Sequence, residues 1–155
     1  MKKKNSITTI LAAGLTAAAL DIIGAIVVYA LVLDVTTAQK VLQSVAAGAL
    51  GKAAFSGGWA TAMAGLAFHT LIALIFAAFF YLIYPYWKKI LANKWVSGFV
   101  YGCCVWAVMN LIVLSITSGK PFVFNLTFFL YGIGLIIFMV GIPISLITER
   151  MRNNQ

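Results

Sequence analysis

Four stretches of this chain are nearly free of charge, at about 7–33, 59–84, 95–117 and 122–147. Each exceeds the roughly eighteen apolar residues that cross a bilayer. Lipid offers backbone polar groups no partner, so a spanning segment must be a helix or a strand of a closed barrel. No alternating pattern of about ten residues supports a barrel. With 63% hydrophobic and 9% charged residues, the chain also lacks the charge to cover a soluble domain. The expected fold is an all-α membrane protein: a four-transmembrane-helix bundle forming one domain over residues 1–155.

The net charge of +8 is placed where a membrane protein needs it. Eight of the eleven basic residues fall in Lys2–Lys4, Lys88/Lys89/Lys94 and Arg150/Arg152, beside the apolar blocks, against Lys40, Lys52 and Lys120 on the opposite side. Four spans put both termini on one side, and the positive-inside rule makes that side cytoplasmic. The expected partners are anionic headgroups at the cytoplasmic face, with no nucleic acid. Cys103 and Cys104 are adjacent, an arrangement that seldom closes an unstrained disulfide, and read as two small core residues. The single histidine and the absence of metal-ligand spacings predict no metal site, no cofactor and no catalytic motif.

The first twenty residues imitate a secretory signal peptide, but the apolar run continues to Leu33, so the segment reads as a retained first helix. Between the first two spans, a short interfacial amphipathic helix is expected over about 37–54. Thr36 and Gln39 have the spacing of a capping box. Val41, Leu42, Val45, Ala49 and Leu50 form its apolar side, with Gln39, Lys40, Gln43 and Lys52 mainly elsewhere. Such a helix lies in the interface or tucks against the mouth of the bundle. Gly57–Gly58 returns the chain to the membrane, and Pro85 ends the second span. Lys88–Lys94 and Ser118–Pro121 are the remaining turns, and Pro143 is expected to kink the fourth span.

Asp21 stands in the middle of the first apolar run. A carboxylate at that depth costs at least ~2.5 kcal/mol to insert and therefore faces a bundle interior or a partner. Counting from the centre of each span, His69 and Asn110 fall within roughly 5 Å of Asp21 in depth, with Tyr131 a little further out. Each helix thus supplies one hydrogen-bonding residue to nearly the same layer. Small residues follow the same seams: Ala17, Ala18, Gly24 and Ala25 beside Asp21, and Ala62, Gly65 and Ala73 beside His69. Gly98 and Gly102 form a small-xxx-small packing signal in the third span. Two roles compete for Asp21, His69, Asn110 and Tyr131. One is a buried polar knot that fixes helix order. The other is a proton- or ion-responsive site, in which protonating the acid or the histidine changes the charge at a desolvated point.

The stretches AALDIIGA around Asp21, AAGALGKAAFSGG at 46–58, GLAFHTLIA at 65–73 and YGCCVWAVMN at 101–110 resemble the YagU-like family of small bacterial four-span inner-membrane proteins. The family pattern places a proline soon after the asparagine of the third span, where this chain has Leu114–Ser115–Ile116. The resemblance implies the four-span architecture, a location in a bacterial inner membrane and no assigned reaction. The sequence therefore leads to a non-enzymatic membrane protein, structural or stress-related and pH-responsive. The alternative is an oligomeric channel or proton-coupled transporter. A bundle this small is expected to have little interior of its own, so transport would call for a homo-oligomer.

Overall fold

A computed structural model describes residues 2–113, 116 and 124–153, with side chains from Ser6 onward. The described residues are almost all helical, and among them four helices are long and apolar enough to span a membrane: Ser6–Val32, Gly58–Ile90, Lys94–Val113 and Leu126–Asn153. Helix α1 runs Lys2–Ile26 and passes into a π-helical turn, Val27–Val32. Helix α2 covers Ala38–Leu50 and tightens into a 3-10 turn, Gly51–Ser56. Helix α3 is Gly58–Ile90. Helix α4, Lys94–Ala107, ends in a second π turn, Val108–Val113. Helix α5, Leu126–Asn153, holds a third at Ile136–Gly141. The expected end of the third span at 117, the Ser118–Pro121 turn and Ser115 lie outside the described residues.

Caps in the sequence set several boundaries. Thr37, rather than Thr36, caps α2, its hydroxyl accepting from Lys40 N at 3.3 Å. Asn93 caps α4 by accepting from Trp95 N at 2.9 Å. Asn125 caps α5 by accepting from Phe128 N at 3.2 Å, so the fourth span starts at Leu126 rather than 122. Each oxygen satisfies a backbone N–H that the first helical turn leaves without an intrahelical partner.

Pro85 does not end the second span; α3 continues through it to Ile90. Proline lacks the N–H that would bond the carbonyl four residues back, here that of Tyr81. Arg152 supplies the missing donor: its Nη1 lies 2.8 Å from Tyr81 O. The same guanidinium stacks 4.6 Å over the Tyr81 ring and 5.2 Å over that of Tyr84. The tail of α5 therefore repairs the break in α3. Pro143 also sits inside a continuous helix, and the π turn falls immediately before it, with Ile142 N donating to Ile137 O.

The bundle is ordered α3–α1–α5–α4, each helix packing on the next, while the α3 and α4 backbones scarcely meet. Glycines set the α4–α5 seam. A Cβ on Gly98 would lie 2.7 Å from Ile142 Cα, and one on Gly102 2.7 Å from Ile137 Cα. Gly141 faces both, a Cβ there meeting Gly98 O and, at 2.6 Å, Gly102 Cα. Across the α3–α4 gap, only the half nearer the termini is filled. There Tyr101, Phe80 and Trp87 form an aromatic cluster, and Tyr101 Oη donates to Phe76 O at 2.7 Å.

Helix α2 tucks against the mouth of the bundle on α3, burying Val41, Leu42 and Ala46. Two expectations for its faces are corrected. Gln43 points inward and is 2% exposed, while Ala49 and Leu50 point outward. Gln43 is held inside because its amide donates to Gly58 O at 2.9 Å and Thr61 Oγ1 at 3.2 Å, and Thr61 in turn donates to Ala54 O at 2.6 Å. This network pins the corner where Gly58, at φ 60°, begins α3. Cys104 is exposed on the outer face of α4 rather than in the core, and Cys103 is half-buried; both are free thiols.

Candidate functional site

Where α3 and α4 diverge, beyond the Tyr101–Phe76 contact, a cavity of about 580 Å³ opens between the spans and beneath α2. This is more interior than a four-helix chain was expected to hold. Asp21 comes from α1, His69 from α3 and Asn110 from the π turn of α4. The rest of the wall is mainly apolar and aromatic, and Lys40, Ser44 and Thr36 stand on the α2 side.

The histidine reaches across to α1 at two points one helical turn apart. His69 Nε2 lies 3.2 Å from the Ala18 carbonyl oxygen and 3.7 Å from Asp21 Oδ2. Both neighbours are acceptors, so Nε2 carries the proton. Ala18 O takes the hydrogen bond, since 3.7 Å exceeds the ~2.7–2.9 Å of a charge-assisted N–H···O contact. Asp21 thus has a nearby charge partner but no hydrogen-bond donor within bonding distance among the described residues. Its side chain is 19% exposed, toward the cavity, and that of His69 is 15% exposed.

The four candidates separate in the structure. Asp21 and His69 form the pair. Asn110 shares their cavity, but its Nδ2 donates to Trp106 O at 3.0 Å, one turn back on its own helix. Tyr131 is 39% exposed and lies off the cavity wall. Equal depth does not fix azimuth, and Gly132 rather than Tyr131 turns inward: a Cβ there would meet Trp106 Nε1 at 3.4 Å and Tyr29 Oη at 3.5 Å. Tyr29 is the residue that depth counting missed. It follows Asp21 by eight residues, two turns along the same face, and lines the cavity with it.

All three π turns contribute to the wall: Tyr29 from the first, Met109, Asn110 and Val113 from the second, Ile136 and Val140 from the third. Such turns cluster at functional sites because they carry one residue more than an α-turn and re-aim the side chains around them. No strand, nucleotide loop or group of metal-ligating side chains accompanies them among the described residues. Comparison with protein-family models, with curated proteins and with solved structures finds no match for the chain.

Proposed function

We propose that this multi-pass membrane protein binds a small solute between its spans, under control of protonation at the Asp21–His69 pair. One observation carries the reading: a cavity of about 580 Å³ reaches the carboxylate. That volume lies in the ~300–1,000 Å³ range of small-molecule sites. A purely structural or stress-related role, with the pair as a sealed knot, needs no such space. The pair is also incompletely satisfied, and a half-satisfied polar group is a poor structural device in a low-dielectric interior. We read the protein as seated in a bacterial inner membrane with both termini cytoplasmic and the basic residues in the anionic headgroup layer. The cavity forms within one chain, so a homo-oligomer enters this reading as a means of completing a path and not of forming the site. We also propose the YagU-like kinship, on the four sequence motifs alone; each of them supplies a cavity residue, among them Ile22, Phe55, His69 and Val105.

His69 is the only histidine, so selective ¹⁵N-histidine labelling gives a single imidazole spin system. In nanodiscs, its signals should change reversibly with bulk pH, because the cavity joins the pair to water. Methyl signals of Ile72 and Ile136 on the cavity wall should follow the same transition, and Asp21→Asn should alter it. An imidazole spectrum constant from about pH 4.5 to 9 would describe a sealed pair and overturn the proposal.

A further inference from the structure

The chemistry of the cavity narrows the class of solute, on the reading that the cavity is a binding site. The groups around Asp21 can be counted element by element. Helix α3 presents His69, α4 presents neutral Asn110, α2 presents Lys40 and Ser44, α5 presents the apolar Ile136 and Val140, and α1 itself adds the Tyr29 phenol. Lys40 is exposed at the mouth, where water screens it. The inner chamber therefore holds one carboxylate and one imidazole. Its charge is negative when the imidazole is neutral and balanced when it is protonated.

The carboxylate's unused capacity is for accepting. The proton on His69 Nε2 goes to Ala18 O, and the remaining contact to Asp21 is 3.7 Å long. An ionised carboxyl accepts only, so a ligand that satisfies it must donate a proton or carry positive charge. An anionic amphiphile would meet like charge at the closed end. Tyr29, Phe55 and Phe76 stand on the same wall as the acid, and aromatic rings attract cations more strongly the less water is present. Apolar walls with one buried counter-ion suit a body that is hydrophobic and singly charged.

We propose that the cavity binds hydrophobic monocations, such as lipophilic amines or phosphonium ions, with Asp21 as their counter-ion, in exchange for a proton. The exchange balances without any further reactant. The protonated Asp21–His69 pair loses one proton to water at the mouth, the cation takes its place beside the carboxylate, and the net charge of the site is unchanged. Only the O–H or N–H bond that held that proton is broken.

Tetraphenylphosphonium tests this, because it is a permanent cation and any pH dependence must come from the protein. Isothermal titration into protein-loaded nanodiscs, with empty nanodiscs subtracted, should show saturable binding at pH 8. Affinity should fall by up to tenfold per pH unit once the pair is protonated, and buffers of different ionisation enthalpy should report up to one proton released in that range. Triphenylphosphine oxide, neutral and of similar size, should bind at least tenfold more weakly. Asp21→Asn should lose at least tenfold in affinity for the cation, and Asp21→Glu should retain part of it. Equal affinity for the cation and the neutral oxide, or cation binding with no proton release at any pH, overturns the proposal on the wild-type protein alone. So does wild-type affinity in a folded Asp21→Asn. The two proposals fail separately: a His69 spectrum that responds to pH but not to tetraphenylphosphonium removes the cation class and leaves the proton-responsive site standing.

Discussion

Arg152 and Pro85 should be energetically coupled, although they lie on different helices and do not need to touch. Pro85 deprives Tyr81 O of its intrahelical donor, and Arg152 Nη1 replaces it at 2.8 Å. In the wild type, Arg152→Ala removes a hydrogen bond from a charged donor, ~1.5–3 kcal/mol, and leaves the carbonyl unsatisfied. It also removes the stacking on Tyr81 and Tyr84, about 0.5–1 kcal/mol. The expected cost is about 2–4 kcal/mol. In a Pro85→Ala background, residue 85 gains an N–H that bonds Tyr81 O directly. Arg152→Ala then loses mainly the stacking, about 1 kcal/mol. A double-mutant cycle should therefore give a coupling of about 1–3 kcal/mol, read from reversible unfolding in mixed micelles by tryptophan fluorescence and circular dichroism. Costs of Arg152→Ala that agree within ~0.5 kcal/mol in the two backgrounds would mean additivity and refute the repair.

Three further outcomes follow from the packing. Gly141→Ala should destabilise the protein by about 1–3 kcal/mol through overpacking against the Gly98 and Gly102 backbones. Gly134→Ala, with open space at its Cβ, should be neutral or stabilising by up to ~1 kcal/mol; equal losses for the two in the same unfolding assay would contradict the seam. Gln43→Ala should release α2 from the corner at Gly58 and Thr61, speeding amide exchange in α2 about tenfold for ~1.4 kcal/mol of lost bonding, while protection in α4 stays unchanged. Asn110→Ala removes a bond within its own helix and should cost less than ~1.5 kcal/mol, leaving the His69 imidazole spectrum near that of the wild type; a large displacement would place Asn110 in the pair after all.

The spans and the pairing of Asp21 with His69 were legible because both follow from one-dimensional properties: run length and depth along a helix of fixed rise. What depth cannot supply is azimuth: Asn110 shares the cavity wall without joining the pair, and Tyr131 lies off the wall. Asn110 finds a partner on its own helix, and Tyr131 points away. Pro85 was misread because its local signal is to stop a helix. The donor that overrides it lies 71 residues away in sequence. Gln43 was misread in the same way: on α2 alone it belongs with the polar side, and only the returning Gly58–Thr61 corner gives it a buried partner. The three π turns carry no common marker. Val27–Val32 and Val108–Val113 contain neither glycine nor proline, and only the third stands next to Pro143.

Those turns bear most directly on why Asp21 is where it is. Around the pair, the residues favour closure: Ala18 and Ala73 are 4% and 5% exposed, and small side chains let membrane helices approach until no space remains. A chain selected only to hide one carboxylate could close the layer there and complete its hydrogen bonds, the cheapest state for a polar group away from water. Instead the Tyr101–Phe76 hydrogen bond links α4 to α3 beside an open cavity, α2 packs on α3 and lines that cavity, and three helices abandon α-helical spacing in turns that line it. Each departure costs helix regularity, and together they hold space open next to an acid that has capacity to spare. Under the proposed exchange, protonation is the variable that decides what the space can hold.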